Sequence, residues 1–423
     1  MVNSVKQGER KIGWESVILL ASLCVIFIVP YFTRNVSVVI VLAIMALYVV
    51  SIASFFFTME SWKTNTVYTI CLFIAMEAVY KVLRISSATV DYYFATIKFL
   101  FLLCAVLPVI RHLSKKQKWV LLLVCVITMT YTMIDNIILS QDYTANYFAT
   151  LAVRPEGEKT NAPDTAFSTA AMLFSGTAVC WVSGVRKKWY RFAGLILALL
   201  AFYFLLTAGQ RGIVFILTLV MLALFCTNTK KNVRNSWFWN AVGIVLVLVF
   251  FISGIYKTLL YWIVDTLGAE RLHERVDSIV MLLESRNIDA MDGSMVKRMQ
   301  LILRSLQTAT SSFGRFLFGV GDHRDSVELI GNHSQFIDMI ARYGICGIAI
   351  FVLMLSCVYK AVLRMSEVQN SRWLMQRIKV LLFVVTLRGL LGNVMIGSIG
   401  VQLFVLIPIG FSFIAAQEGI SNA

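Results

Sequence analysis

The 423-residue chain is poor in charge and in proline: Asp, Glu, Lys and Arg together make up 14% of it, and there are 5 prolines. So little charge argues against a soluble multidomain enzyme, and a disordered chain would need the opposite balance of low hydrophobicity and high charge. No C-x-x-C pair occurs: Cys24, Cys71, Cys104, Cys125, Cys180, Cys226, Cys346 and Cys357 all fall inside apolar runs. They read as small buried hydrophobes, which leaves no basis for a disulfide framework or a zinc site. No repeat of 20 to 50 residues and no low-complexity tract is apparent, and there is no Asp-x-Asp pair.

What the chain has is apolar surface. It is 59% hydrophobic, with a mean hydropathy of +0.78. A membrane-spanning helix takes about 20 apolar residues, so about 12 of them would use roughly 240 residues, close to the whole apolar inventory. Windows of spanning length fall near 16–33, 36–58, 66–83, 92–110, 118–139, 164–185, 191–208, 212–227, 240–263, 338–362, 378–394 and 398–415. The expected fold is an all-α polytopic integral membrane protein: about 12 transmembrane helices with one long helical extracytoplasmic loop. The first window follows Lys6, Arg10 and Lys11 but ends in Pro30-Tyr31-Phe32-Thr33-Arg34, with no small-residue cleavage site, and reads as an uncleaved span.

The net charge of +15 would suggest nucleic acid in a soluble protein; here the placement of the basic residues decides its meaning. Alternate connections carry Lys6, Arg10 and Lys11; Lys63; Arg111, Lys115, Lys116 and Lys118; Arg186, Lys187, Lys188 and Arg191; Lys230, Lys231 and Arg234; and Lys360, Arg364, Arg372, Arg377 and Lys379. The opposite short loops hold only Arg34, Arg84, Arg154, Lys159, Arg211 and Arg388. Cytoplasmic loops carry the Lys/Arg excess, so this alternation of about three to one places both termini in the cytoplasm. The organisation read from it is a cytoplasmic tail (1–15), helices one to nine (16–263), a large extracytoplasmic loop (264–337), helices ten to twelve (338–415) and a second cytoplasmic tail (416–423). In the large loop, Leu272, Val276, Ile279 and Leu283 repeat at helical spacing, as do Met299, Ile302, Leu306 and Ala309, which predicts two amphipathic helices packed on the membrane domain.

Ionisable residues inside apolar windows are costly and call for a reason. Glu77 and Lys81 can neutralise each other at i,i+4, and Lys98 and Asp135 fit structural partners. Arg211 sits in the tight turn Thr207-Ala208-Gly209-Gln210-Arg211-Gly212, where it would hold either a lipid phosphate or an anionic substrate. The most informative stretch joins Phe318-Gly319-Val320-Gly321 to the run Gly331-Asn332-His333-Ser334 and on to Gly347. His333 stands where loop meets apolar helix; it would be either a polar helix cap or an acid–base group, since an unperturbed imidazole titrates near 6.5.

With these motifs the chain resembles the bacterial O-antigen ligase/polymerase family, integral membrane enzymes that transfer or polymerise lipid-linked oligosaccharides. The match lies in Gly209 to Gly212, in Arg298 followed by the Gly319-Val320-Gly321 turn, and in His333 to Gly347. The family's Asn-Pro-Asn is only partly matched by Asn161-Ala162-Pro163-Asp164, which is assigned no role. The resemblance implies a bacterial inner-membrane enzyme that polymerises polyprenyl-diphosphate-linked repeat units into a capsule, exopolysaccharide or O-antigen. Arg211 and Arg298 would bind the diphosphate and His333 would act on the acceptor hydroxyl, with Arg271, Arg275, Arg304, Arg342 and Arg388 as secondary candidates. Implied partners are the lipid-linked donor, a glycan acceptor, membrane lipids, a chain-length regulator and a flippase, with no nucleic acid and no cofactor. A single displacement at the anomeric carbon would invert its configuration, and the missing Asp-x-Asp pair makes a metal-independent transfer the simpler expectation. Ligation of finished polymer to a terminal acceptor is the alternative within the class; a polysaccharide-lipid flippase, with polar sites at the midplane of repeated halves, is the alternative outside it.

Overall fold

The computed structural model describes residues 12–29, 112–142, 167–207, 212–230, 235–255, 293–321, 329–331, 334–368 and 370–418, with scattered helical positions between 32 and 110 and between 257 and 280. No strand occurs among the described residues. The helices are α1 (Trp14–Ile28), α2 (Lys115–Asp142), α3 (Phe167–Gly184), α4 (Lys188–Thr207), α5 (Gly212–Thr227), α6 (Ser236–Ile252), α7 (Gly293–Thr310), α8 (Phe313–Phe318), α9 (Gln335–Met365), α10 (Arg372–Leu391), α11 (Gly397–Val401) and α12 (Ile407–Gln417). A π-helical turn, Gln402–Leu406, joins α11 to α12. Five helices among the described residues are long and apolar enough to cross a bilayer: α2, α3, α4, α9 and the run from Gly397 to Gln417. The windows at 36–58, 66–83 and 92–110 and the loop at 140–163 lie largely outside the described residues.

Composition decides which helices go to the centre. Buried positions of α3 are mostly small, among them Ser168, Ala170, Ala171, Ser175, Gly176, Thr177 and Ala178. Small residues let helix backbones approach closely where lipid supplies no hydrophobic drive. A methyl group on Gly176 would press on the Met221 sulfur of α5 at 2.6 Å and on Leu381 of α10 at 2.7 Å. The run from Gly397 to Gln417 is almost wholly buried, whereas α4, with Leu195, Ile196 and Leu199 exposed, lies at the periphery. Phe99 packs edge-on to Phe404 at 5.1 Å and Phe167 to Phe204 at 5.6 Å. Two threonines of α2 bond to the preceding turn: Thr128 donates to the Val124 carbonyl and Thr132 to that of Thr128, both at 2.8 Å.

Cys24, Cys125 and Cys180 are buried free thiols, but Cys226 and Cys346 are exposed, contrary to the sequence expectation. An apolar run fixes only that a helix is apolar; Cys226 and Cys346 stand on faces turned away from neighbouring helices.

One end of the bundle is closed by polar ties. Lys118 at the start of α2 pairs with Glu367 beyond α9 at 2.7 Å, Lys230 pairs with Glu418, and Arg186 N–H donates to the Gln417 side chain at 3.3 Å. Arg377 lies against the Phe225 ring at 4.5 Å and donates to the Asn228 carbonyl at 3.3 Å. The start of α9 lies at the other end, and the candidate site is built there.

Candidate functional site

The site begins with a broken helix. Within α9, Gly344 has φ +66° and ψ −167°, a conformation open to glycine and strained for other residues. Just before this break, the Ala341 and Arg342 carbonyls accept from Val320 N–H at 2.9 Å and Gly321 N–H at 2.8 Å. Gly319, at φ +69°, lies so close that a methyl group there would overlap the Arg342 carbonyl, and one on Gly344 would overlap that of Leu317. The two glycine-bearing motifs thus meet in one structure, backbone against backbone. Ala309, Val320, Ile330 and Ala341 form a small apolar core beneath it.

The segment entering α9 is held from both sides. Ser334 caps the helix by accepting from Ile337 N–H at 3.2 Å. The Asp338 carboxylate accepts from Ser334 N–H at 2.9 Å and from the Ser305 hydroxyl of α7 at 2.6 Å. Ser305 in turn accepts from Gly331 N–H at 2.8 Å, and Thr308 donates to the Leu329 carbonyl at 2.7 Å. One serine–aspartate pair therefore fixes Gly331 and Ser334, the two residues that bracket Asn332 and His333 in the sequence.

The start of α9 also rests on the end of α10. Gln335 N–H donates to the Gly392 carbonyl at 3.3 Å. Arg388, one turn earlier on α10, is 1% exposed and donates through Nε to the Thr169 hydroxyl of α3 at 3.1 Å. A guanidinium so buried keeps its charge, because it cannot deprotonate to lessen the cost.

Of the residues predicted to act, Arg388 and Arg342 are buried, with Arg342 4% exposed. Arg342 is enclosed where α9 meets the Gly319–Gly321 turn. Arg304 is exposed on α7, and Arg298 lies in the same helix with its side chain outside the described residues. His333, Arg211, Arg271 and Arg275 lie outside the described residues, as do Glu77, Lys81 and Lys98. Of the stripe expected to pack α7, Ala309 is buried and Ile302 half-buried, whereas Leu306 is 45% exposed; Ser305 and Thr308 are buried beside Ala309. That face carries both the hydrogen bonds to the 329–338 segment and the apolar contact of Ala309.

Ser305, Asp338, Thr169 and Gly392 were given no role by sequence reasoning. The spacing Ser334-x-x-x-Asp338 at a helix start carried a signal akin to a capping box; a threonine inside an apolar run, such as Thr169, carried none. No group of three His, Cys, Asp or Glu side chains able to hold a metal occurs among the described residues. No family model and no curated protein matches the chain. The fold and the site together define a helical protein with several helices apolar enough for a bilayer, with a polar, hydrogen-bonded structure at the entry to α9.

Proposed function

We propose that the chain is a bacterial membrane glycosyltransferase that polymerises polyprenyl-diphosphate-linked oligosaccharide repeat units into a surface polysaccharide. It works at the outer face of the cytoplasmic membrane, on a bundle of about 12 spans with both termini inside. The supporting observation is the pairing of Val320 and Gly321 with the Ala341 and Arg342 carbonyls, which joins the two longer motifs of the family resemblance.

In this reading the acceptor hydroxyl of one lipid-linked unit attacks the anomeric carbon of another. The bond from that carbon to the diphosphate breaks, and the electron pair leaves on the diphosphate oxygen. Inversion follows from a single displacement. His333 takes the hydroxyl proton, a contribution of roughly 10²- to 10⁴-fold for a well-placed base. Arg211 and Arg298 bind the leaving diphosphate, since guanidinium forks match phosphate oxygens and preorganised charge is usually the largest catalytic term. Arg388 supplies a further buried positive charge beside the start of α9.

Deleting the gene and sizing the lipid-linked glycans tests the reading. Single repeat units should accumulate on the carrier without polymer. Long polymer stranded on the carrier would mean ligation instead, and repeat units trapped on the inner leaflet would mean a flippase.

A further inference from the structure

At the end of the bundle opposite the candidate site, a cavity of about 250 Å³ lies between α2, α3, α4 and the π turn and α12. Its walls are apolar: Trp119, Trp181 and Tyr190 stand near one end, and Val126, Phe174 and Leu406 near the other. From Trp119 to Val126 the groove follows α2 for about 10 Å, at 1.5 Å per residue. Gly194 and Gly410 line it as well, and large side chains there would close it. Trp119 stacks on Trp181 at 6.3 Å and meets Phe413 edge-on at 5.2 Å, so the aromatic end is a rigid frame. Trp and Tyr in such a band suit the interface between headgroups and hydrocarbon.

The aromatic end is rimmed by cations. Lys115, Lys116, Arg186, Lys187 and Lys188 are exposed in the first turn of α2 and in the α3–α4 connection. The Lys187 ammonium lies 5.7 Å from the centre of the Tyr190 ring, which itself lines the groove. Segments 115–126 and 181–197 contain no Asp or Glu. Glu367 and Glu418, near this end, are already paired with Lys118 and Lys230, which leaves Glu15 at the start of α1 as an exposed acid near the five cations. An apolar slot that runs inward from an aromatic collar beneath an excess of positive charge among the described residues has the polarity profile of one molecule class.

We infer that this groove is a binding site for an anionic phospholipid, with one acyl chain in the slot and the headgroup phosphate on Lys187 and Lys188. The site belongs to the leaflet at the basic end of the bundle and does not depend on the glycan chemistry proposed for the other end. Basic residues near a membrane surface each contribute about 1 kcal/mol toward anionic lipid, which corresponds to about fivefold in occupancy.

The test reconstitutes the full chain in phosphatidylcholine vesicles carrying an equal minor fraction of either brominated phosphatidylglycerol or brominated phosphatidylcholine. Tryptophan quenching is read, and a Trp119→Phe/Trp181→Phe variant isolates the groove signal. With two lysines on the phosphate, the brominated anionic lipid should quench Trp119 and Trp181 at about 30-fold lower mole fraction than the zwitterionic one. Lys187→Gln/Lys188→Gln should abolish that preference, and Ala193→Leu, at an exposed position on the groove wall, should abolish the groove quenching by both lipids. Equal quenching by the two lipids, or a preference that survives the double lysine variant, would overturn the inference. Protection from both lipids that lifts on diluting the protein in the bilayer would put a second copy in the groove and overturn it as well.

Discussion

The Ser305 hydroxyl donates to one carboxylate oxygen of Asp338 at 2.6 Å while accepting from Gly331 N–H at 2.8 Å, which joins α7 to α9 through a buried contact. The other oxygen of Asp338 accepts from Ser334 N–H. A hydroxyl has one proton, so its orientation here is fixed by the bonds it makes. The consequence is a two-residue segment, Asn332-His333, fastened at both ends to the same pair.

Removing either partner should loosen that segment before it unfolds the protein. Ser305→Ala leaves the buried Gly331 N–H without this acceptor, at a cost of about 1–3 kcal/mol, and Asp338→Ala, which removes two charge-assisted bonds, should cost more. Hydrogen exchange should accelerate at the Gly331 and Ser334 amides while the amides of α3 and α12 stay protected. Unchanged exchange at both positions in both variants would remove the clamp from the account.

The contact between the two glycine motifs makes an equally direct prediction. Gly319→Ala and Gly344→Ala each combine a positive φ with overlap on a backbone carbonyl that has nowhere to move. Each should cost well over the ~1 kcal/mol attached to the conformation alone and should leave little folded protein in detergent. Gly314→Ala is the control: it lies in α8 with no atom near a built methyl group, and it should be neutral or stabilising by up to about 1 kcal/mol. Thermal unfolding of the three variants decides the matter.

Gly392 and Arg388 form a third test. Gly392 has an extended backbone, φ 172°, that any residue can adopt, and the atoms nearest to a methyl group there belong to the Arg388 guanidinium. Because that group is the far end of a flexible chain, Gly392→Ala should displace the charge while leaving the backbone of α10 in place. Glycan transfer should fall by about tenfold or more, as for the removal of a charge contact worth 1.5–3 kcal/mol. A variant with normal transfer would take Arg388 out of the site.

The helical class and the positions of the longest spans were legible because a stretch of about 20 apolar residues admits few alternatives. The glycines of the two motifs could be marked as points of tight backbone, and the structure shows why: Gly319 and Gly344 lie against each other's segments. Three features were not legible. The buried face of α7 includes Ser305 and Thr308, whose partners are 21 to 33 residues away, and leaves out Leu306, which the apolar stripe included. The pairing of Arg388 with Thr169 spans 219 residues. The exposure of Cys226 and Cys346 depends on which neighbours each helix has, and periodicity in a uniformly apolar helix does not record that.

The central claim is tested most directly by supplying polyprenyl-diphosphate-linked repeat units to the purified chain in vesicles and separating the products by size. The account predicts a ladder of polymer with the native chain and none with His333→Ala or Arg211→Ala, although both variants insert in the membrane as the native chain does. A native chain that yields no ladder, or a His333→Ala chain that yields the full one, would contradict it.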